Sequence, residues 1–444
     1  MNMQRELIKS TVACLGLAGL LIVSITTPIF ESNALNQYAA ADAFRLYFII
    51  GLFIATILIG SVVDKDALLR AVPWPIWLAI AWCWASLTWS VAPEVSARRL
   101  ILTTVTAILA CFGATSLGSR RAILVTTTIL LAAVVLNIVF VALFPEQGIH
   151  LYGKSGAMHQ WRGFMTDKNI AGSLAAMTII FVLFGPSIGP ISTRLIGVAP
   201  PAILLIQSYS RTSVAACIIA ATIGGLFSLA NTKQGEFRRN TYDGLNKVVK
   251  FGGLAALLLL LIFSVHATPL LTLLDDSAIF SRRGEIWQPM LLYFDQHAWG
   301  GAGYGAYWSL INDKTDFSGS WLRKVTQGHN GYLDMLVQIG SPGLAIVVFA
   351  TLAAPLTLTS RISSSSMRDR YSLTPIVVAT MTFYLINNLM ESSLFDRDKL
   401  PFIIATIVAA LVYRRSGSVF GQRQTGQKGQ IREIKTRRSR TAGI

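Results

Sequence analysis

One histidine lies where a membrane enzyme could use it. His329 belongs to the segment QGHNGYLDMLVQIGSPG, which runs from Gln327 to Gly343, and it directly precedes an apolar run. It is therefore predicted to lie at the mouth of a membrane helix. Histidine titrates near neutral pH and can take a proton from an attacking hydroxyl group. The pattern favours a catalytic base, although a lone histidine is more often structural.

Three further segments carry cationic and amide side chains. These are Arg162, Lys168 and Asn169 in WRGFMTDKNIAG, Arg211 in QSYSRTSVAA, and Arg282 and Arg283 in FSRRGEIW. Guanidinium groups bind phosphate oxygens through paired hydrogen bonds and stay charged at any relevant pH. Fixed cations also stabilise the negative charge that develops on a leaving diphosphate. Each residue alone is equally well interpreted as an interfacial anchor or solvated surface, so the diphosphate hypothesis depends on their convergence.

The rest of the chain predicts a membrane scaffold for these segments. Its 444 residues are 53% hydrophobic and 14% charged, with a mean hydropathy of +0.55. Apolar runs of about 20 residues recur, and each is long enough to cross a bilayer. We predict an all-α polytopic membrane protein with about twelve transmembrane helices, because a β-barrel would show short alternating strands instead. The predicted intervals are 9–28, 43–62, 72–90, 98–117, 122–144, 169–185, 190–207, 213–231, 248–266, 330–356, 373–391 and 400–413.

The basic charge of the chain follows its predicted topology. The net charge is +16, from 38 Lys and Arg against 22 Asp and Glu. If both termini are cytoplasmic, 24 of the 38 Lys and Arg residues fall on the cytoplasmic side. Enrichment of Lys and Arg inside is what sets the orientation of membrane proteins. The excess therefore indicates topology, and no nucleic-acid partner is predicted.

The predicted organisation is one membrane domain followed by a tail. The domain covers residues 1–413, with periplasmic loops at about 145–168 and 267–329. The tail, residues 414–444, is basic and predicted to be disordered and cytoplasmic, where anionic lipid would attract it. The first apolar run is longer than the core of a usual signal peptide, so an uncleaved helix is favoured.

No metal site or cofactor is predicted. The cysteines all fall in predicted spans without metal-ligand spacing, which favours small packing residues: Cys14, Cys83, Cys111 and Cys217. His150 and His159 have no second half of a zinc site.

A charged cluster borders the last two predicted spans. Glu391, Asp396 and Arg397 fall at their outer edge. They could contact a sugar, but the closeness of opposite charges favours a local ion-pair network.

Several of these segments together resemble a known family. HN followed nine residues later by GSPG resembles the histidine motif of the O-antigen ligase and polysaccharide polymerase superfamily. RRGEIW resembles its arginine–acid–aromatic segment, with Arg283 on the family arginine and Arg282 beside it, and SRTS resembles the helix-start motif at Arg211. WRGFMTDKNIAG is most similar to the exopolysaccharide, succinoglycan-type polymerase branch, which often has a histidine where this chain has Asp167.

The resemblance implies a glycosyltransferase of the multi-span, lipid-donor class, with a GT-C-like fold. The donor would be an oligosaccharide on undecaprenyl diphosphate, used at the periplasmic face of the bacterial inner membrane without metal or nucleotide. His329 would act on the acceptor, Arg211 and Arg283 would hold the diphosphate, and the supporting contacts would come from Arg282, Arg162, Lys168, Asn169 and Asn330. The implied partners are membrane lipid, a flippase and a chain-length regulator.

Three functions remain open at this point. The first is polymerisation of lipid-linked repeat units into exopolysaccharide, favoured by the Lys168–Asn169 pair. The second is an O-antigen ligase, which transfers the glycan to lipid A core. The third is a lipid-linked oligosaccharide flippase or transporter, but such a protein should carry charged residues in mid-span, and here they crowd at the outer ends.

The predicted orientation can be tested with reporter fusions. Alkaline phosphatase is expected to be active when fused at Gly319 and inactive when fused at the C-terminus, since the enrichment of Lys and Arg places both termini in the cytoplasm. A cytoplasmic reporter should show the reverse pattern. Phosphatase activity at the C-terminus would reverse the orientation, and with it the proposed chemistry.

Overall fold

The computed structural model describes most of the chain. The described residues are 2–30, 46–59, 67–152, 158–186, 191–232, 236–265, 283–313, 325–363 and 372–417. Arg282, residues 418–444 of the predicted tail and part of the second predicted loop lie outside them. Residues 414–417, which the sequence analysis predicted to be disordered, are helical.

Helices account for nearly all of the described residues. They are α1 (Asn2–Phe30), α2 (Leu46–Ile59), α3 (Ala67–Ala71), α4 (Trp74–Ala85), α5 (Pro93–Leu117), α6 (Ser119–Leu143), α7 (Pro145–Gly148), α8 (Lys168–Phe184), α9 (Ile191–Gln207), α10 (Arg211–Thr232), α11 (Glu236–Val265), α12 (Arg283–Gln296), α13 (Tyr307–Asp313), α14 (Gly331–Val348), α15 (Ala354–Ser363), α16 (Thr374–Asn387) and α17 (Leu400–Gly417). A 3₁₀ turn follows α4 at Ser86–Trp89, and a π-helical turn, Phe349–Ala353, joins α14 to α15.

The helices support a polytopic membrane protein. Six helical segments in the described residues are long and apolar enough to cross a membrane, and four shorter apolar helices accompany them. Each of the twelve predicted intervals contains a helix, although α4 has only 12 residues. The all-α membrane class is thus supported, while twelve crossings and the periplasmic loop stay predictions.

A cavity lies near each end of the helix bundle. Near one end, the start of α1 and the end of α17 line a common cavity through Lys9 and Arg414. Near the other end, Ser24 of α1 lines a second cavity together with the start of α17 at Leu400. Both described chain ends therefore lie at the same end of the bundle, opposite the second cavity.

The first predicted loop contains a β-hairpin that the sequence analysis did not anticipate. Strand β1 (Ile149–Tyr152) pairs antiparallel with β2 (Met158–Trp161), with His150 opposite Gln160. After β2, the backbone N–H of Phe164 donates to Asn137 Oδ1 at 3.3 Å. Asn137, a buried polar residue of α6, thereby fixes the outer loop that leads into α8.

The segment GSPG breaks α14. Gly340 has φ +69° and ψ −179°, a backbone conformation open almost only to glycine. The break frees carbonyl groups from the helix, and Trp82 Nε1 donates to Ile339 O at 3.1 Å. Irregular backbone at membrane depth is tolerated when it is buried in protein and its polar groups are bonded again.

A glycine-rich turn docks against this break. The backbone N–H groups of Ala302 and Gly303 each donate over 2.8 Å, to Val337 O and Gln338 O respectively, and Ser341 N donates to Ala298 O at 2.8 Å. Gly301 and Gly303 have positive φ and no space for a Cβ. GAGYG is therefore a packed turn, and its backbone hydrogen bonds join the segment after α12 to α14.

We expect Gly340→Ala to destabilise the protein strongly. A Cβ at Gly340 would lie 2.1 Å from Trp299 O, and the left-handed backbone would add about 1–3 kcal/mol of strain. The midpoint of thermal unfolding in detergent should fall by several degrees. Gly225→Ala is the matched control, because its Cβ would meet nothing within 4 Å. Equal midpoints for the two variants would contradict the proposed break.

Candidate functional site

Glu391 bridges His329 and Arg283, two of the three residues that the resemblance placed in the chemistry. Arg283 Nη2 lies 3.2 Å from Glu391 Oε1, and His329 Nδ1 lies 3.5 Å from Glu391 Oε2. The Glu391 side chain is 13% exposed, against 20% for Arg283 and 33% for His329. Arg283 Nη1 also contacts Met390 Sδ at 3.1 Å. Residues 62 and 108 positions from Glu391 are thereby joined at one carboxylate.

The loop between α16 and α17 presents this carboxylate. The backbone N–H of Gly331, the first residue of α14, donates to Asn388 O at 2.9 Å and to Glu391 O at 3.1 Å. Asn388 Oδ1 in turn accepts from Ser393 N at 2.9 Å. The start of α14 and the Glu391 loop are therefore one hydrogen-bonded unit. The predicted ion-pair network exists, but its Glu391 part reaches distant residues.

His329 is held in an unusual backbone conformation. Its φ is +51°, in the left-handed region that few residues other than glycine adopt. The next residue, Asn330, caps α14, since its Oδ1 accepts from Tyr332 N and Leu333 N, each at 3.1 Å. The cap fixes where the helix begins, and the left-handed residue before it sets the direction of the imidazole. Substrate contact by Asn330 stays a prediction.

The buried carboxylate of Asp334 holds the segment that carries His329 through hydrogen bonds. Asp334 accepts hydrogen bonds from the backbone N–H of Gly328, at 3.1 and 2.9 Å, and from Trp308 Nε1 at 3.0 Å. Ser392 Oγ donates to its second oxygen. These donors come from α13, from the residue before His329 and from the residue after Glu391. Asp334 therefore joins the chain segments that carry His329 and Glu391.

A cavity of about 260 Å³ lies beside Glu391. Its polar and charged lining is mixed in sign. Arg397 pairs with Asp398 at 2.9 Å, and Lys399 Nζ donates to Gln327 Oε1 at 3.0 Å. Such a lining offers both donors and acceptors with little net charge, which suits a ligand rich in hydroxyl groups. The polar and charged lining residues are Ser24, Arg99, Thr166, Asp167, Asn169, Ser173, Thr326, Gln327, Asn387, Glu391, Ser392, Ser393, Asp396, Arg397, Asp398 and Lys399.

Arg99 of α5 is a site residue that sequence reasoning missed. Its Nη1 donates to Gly305 O at 2.8 Å, and a Cβ at Gly305 would lie 2.4 Å from Arg99 Cδ. Nearby, Tyr304 Oη donates to Phe395 O at 2.7 Å. Burial raises the pKa of Tyr304, so its hydroxyl remains a neutral donor. No motif indicated Arg99, because its partners lie about 200 residues away in the chain.

Arg211 lies apart from the Glu391 contacts. It is exposed on the first turn of α10. Within the described contacts, none joins Arg211 to Arg283. The helix start is nevertheless close to the cavity, since Ser213 Oγ is 3.5 Å from Ser173 Oγ, and Ser173 lines the cavity. The predicted pairing of Arg211 with Arg283 around a diphosphate stays a prediction.

The Lys168–Asn169 segment opens α8 beside the cavity. Asp167 caps the helix, with Oδ1 accepting from Asn169 N at 2.7 Å, which gives a structural role to the residue that departs from the family pattern. Asn169 lines the cavity, and Lys168 is half-buried at the first helical position. Arg162 Nε donates to Gln147 O at 3.0 Å, a contact that closes the base of the hairpin.

Comparison with known proteins supports the resemblance. Residues 196–348 match the family model described as O-antigen ligase. This range contains Arg211, Arg283, His329 and the break at Gly340. The match supports the O-antigen ligase and polymerase superfamily and leaves the succinoglycan-type branch undecided. No curated protein matches the chain.

Removing the Asp334 carboxylate is expected to loosen the site. Asp334→Ala would leave the buried donors of Gly328, Trp308 and Ser392 unsatisfied, and each such group costs about 1–3 kcal/mol. The midpoint of thermal unfolding should fall clearly. Asp243→Ala, at an exposed carboxylate on α11, is the control and should change it little. A midpoint for Asp334→Ala equal to that of the control would mean that the carboxylate does not hold these segments.

Proposed function

We propose that the chain transfers a glycan from a lipid-linked diphosphate to an acceptor hydroxyl group. The single observation that carries the proposal is the contact of Glu391 with both His329 and Arg283. It puts a base candidate and a phosphate-binding candidate on the two oxygens of one carboxylate. The family match over residues 196–348 supports the same chemistry.

His329 is the proposed base. With Nδ1 directed at Glu391, the imidazole is favoured as the tautomer that carries its proton on Nδ1, which leaves Nε2 as the acceptor. Nε2 takes the proton from the acceptor hydroxyl as its oxygen bonds to the anomeric carbon of the donor. The bond from that carbon to the diphosphate breaks, and the lipid diphosphate leaves with the electron pair. Glu391 balances the charge of the imidazolium that forms, as the carboxylate of a catalytic triad does.

Arg283 is the proposed contact to the diphosphate, with Arg211 and Arg282 supplying further positive charge. In the structure its guanidinium is paired with Glu391. A diphosphate offers more negative charge and a matching two-pronged geometry, so it can compete for the exposed part of this guanidinium. Stabilisation of charge on the leaving group is then electrostatic, and we propose that the step needs no metal ion.

The mixed-charge cavity is the proposed site for a sugar unit. Its volume of about 260 Å³ admits a sugar ring, and Gln327 and Glu391 connect its lining with the His329 segment. Asn169 of the Lys168–Asn169 pair also lines it. We propose a lipid-linked repeat unit as the acceptor, so that the reaction polymerises exopolysaccharide at the periplasmic face of the inner membrane. A ligase would share the donor chemistry and take lipid A core instead.

His329→Ala is expected to abolish transfer while the protein still folds. Loss of a general base lowers a rate by about 10²–10⁴-fold. The measurement is glycan transfer by the purified protein, with lipid-linked repeat units as both donor and acceptor. His159→Ala is the matched control, because His159 is exposed on β2. Equal rates for His329→Ala and the parent at equal thermal midpoints would remove His329 from the mechanism.

The acceptor is decided in the same assay. Products that lengthen by whole repeat units support the polymerase, whereas transfer only to added lipid A core identifies a ligase. Movement of the donor across a vesicle membrane without any new glycosidic bond would identify a transporter.

A further inference from the structure

A second cavity lies at the end of the bundle opposite the candidate site. Its volume is about 710 Å³, and it is open to the surroundings. Its walls come from the start of α1, the α3–α4 turn, and the ends of α5, α15 and α17. Its lining includes Lys9, Arg70, Trp74, Leu358 and Arg414.

The charged residues of this cavity are mostly cationic. Lys9, Arg70 and Arg414 contribute positive charge, and among the described lining residues Glu6 is the one that is acidic. The cations come from three different helices, so only the fold brings them together. Arg70 and Arg414 are exposed, which makes them accessible to an anion. The lining therefore favours a ligand that carries negative charge.

The rest of the lining is apolar and aromatic. Val72, Pro73, Leu358 and Ala410 line the cavity, and the Trp74 side chain is 65% exposed. Tryptophan is enriched where a protein crosses from hydrocarbon to the headgroup layer. A free phosphate ion would use the cations but not this apolar wall. A ligand with both an anionic head and a hydrocarbon body uses both.

We propose that this cavity binds an anionic glycerophospholipid through its phosphate. Basic pockets between membrane helices are known to accept such headgroups, and the cavity lies at the end of α1, α5 and α17, where a membrane surface meets the bundle. The inference is independent of the proposed glycosyl transfer. The lipid would join α1 to α17, and α17 begins at the candidate site at the other end of the bundle.

Titration of the full-length protein in detergent tests the proposal. The probes are dihexanoyl phosphatidylglycerol, dihexanoyl phosphatidylcholine and inorganic phosphate, and the readout is the midpoint of thermal unfolding. Binding to the folded state stabilises it by RT ln(1 + L/Kd), where L is the ligand concentration, so the midpoint rises with the logarithm of the ligand concentration once that concentration exceeds Kd. Three cations are expected to favour phosphatidylglycerol over phosphatidylcholine by about a hundredfold in apparent affinity. Equal affinities, or an equal response to inorganic phosphate, would overturn the proposal.

Substitutions locate the binding site. The variant Lys9→Gln/Arg70→Gln/Arg414→Gln should lose the preference for phosphatidylglycerol. The control Arg239→Gln/Lys247→Gln/Lys250→Gln removes the same charge from exposed positions on α11 and should keep it. If the first variant does not fold, Arg70→Gln/Arg414→Gln removes two of the three cations and should lower the preference by about tenfold or more. An undiminished preference in the first variant, or an equal loss in the control, would place the lipid elsewhere.

Discussion

The end of the molecule that carries the candidate site depends on the buried carboxylate of Asp334. It accepts hydrogen bonds from a backbone N–H beside His329, from the indole of Trp308 and from the hydroxyl of Ser392. A buried carboxylate is tolerated only when such donors satisfy it. The same need for donors brings three distant chain segments to one point. The hydrogen bonds that satisfy Asp334 therefore also help to set the position of His329 against Glu391.

The break of α14 at Gly340 has a complementary effect. A continuous helix would use its carbonyl groups internally, and the backbone N–H groups of Ala302 and Gly303 would lose their acceptors on α14. The break releases Val337 O and Gln338 O, which accept from the turn at Ala302 and Gly303. The segment after α12 is thus joined to the bundle through backbone hydrogen bonds. Glycine is needed at Gly301 on the turn and at Gly340 on α14, because a Cβ at either position would push the turn and the helix apart.

The sequence predicts the scaffold better than the site. Long apolar runs report helices directly, and the positions of His329 and Arg283 follow from motifs. Glu391 was assigned to a local ion-pair network because its neighbours Asp396 and Arg397 are visible in the sequence, whereas its actual partners are not. Arg99 and Asp334 were overlooked for the same reason, since each acts through residues that only the tertiary fold brings near. The short strands of the hairpin carried too weak an alternating pattern to be recognised.

The hydrogen bonds of Asp334 also define the base of a loop. Trp308 and Gly328 both contact Asp334 Oδ1, so the chain leaves and returns at a single atom. A loop closed at its base can change length at low entropic cost, about 0.6 kcal/mol for each doubling. The segment between Trp308 and Gly328 can therefore vary in length and composition while the positions of His329 and Glu391 relative to each other are kept. The hydrogen bonds at the base therefore hold the His329 segment in place whatever the length of the segment that they close off.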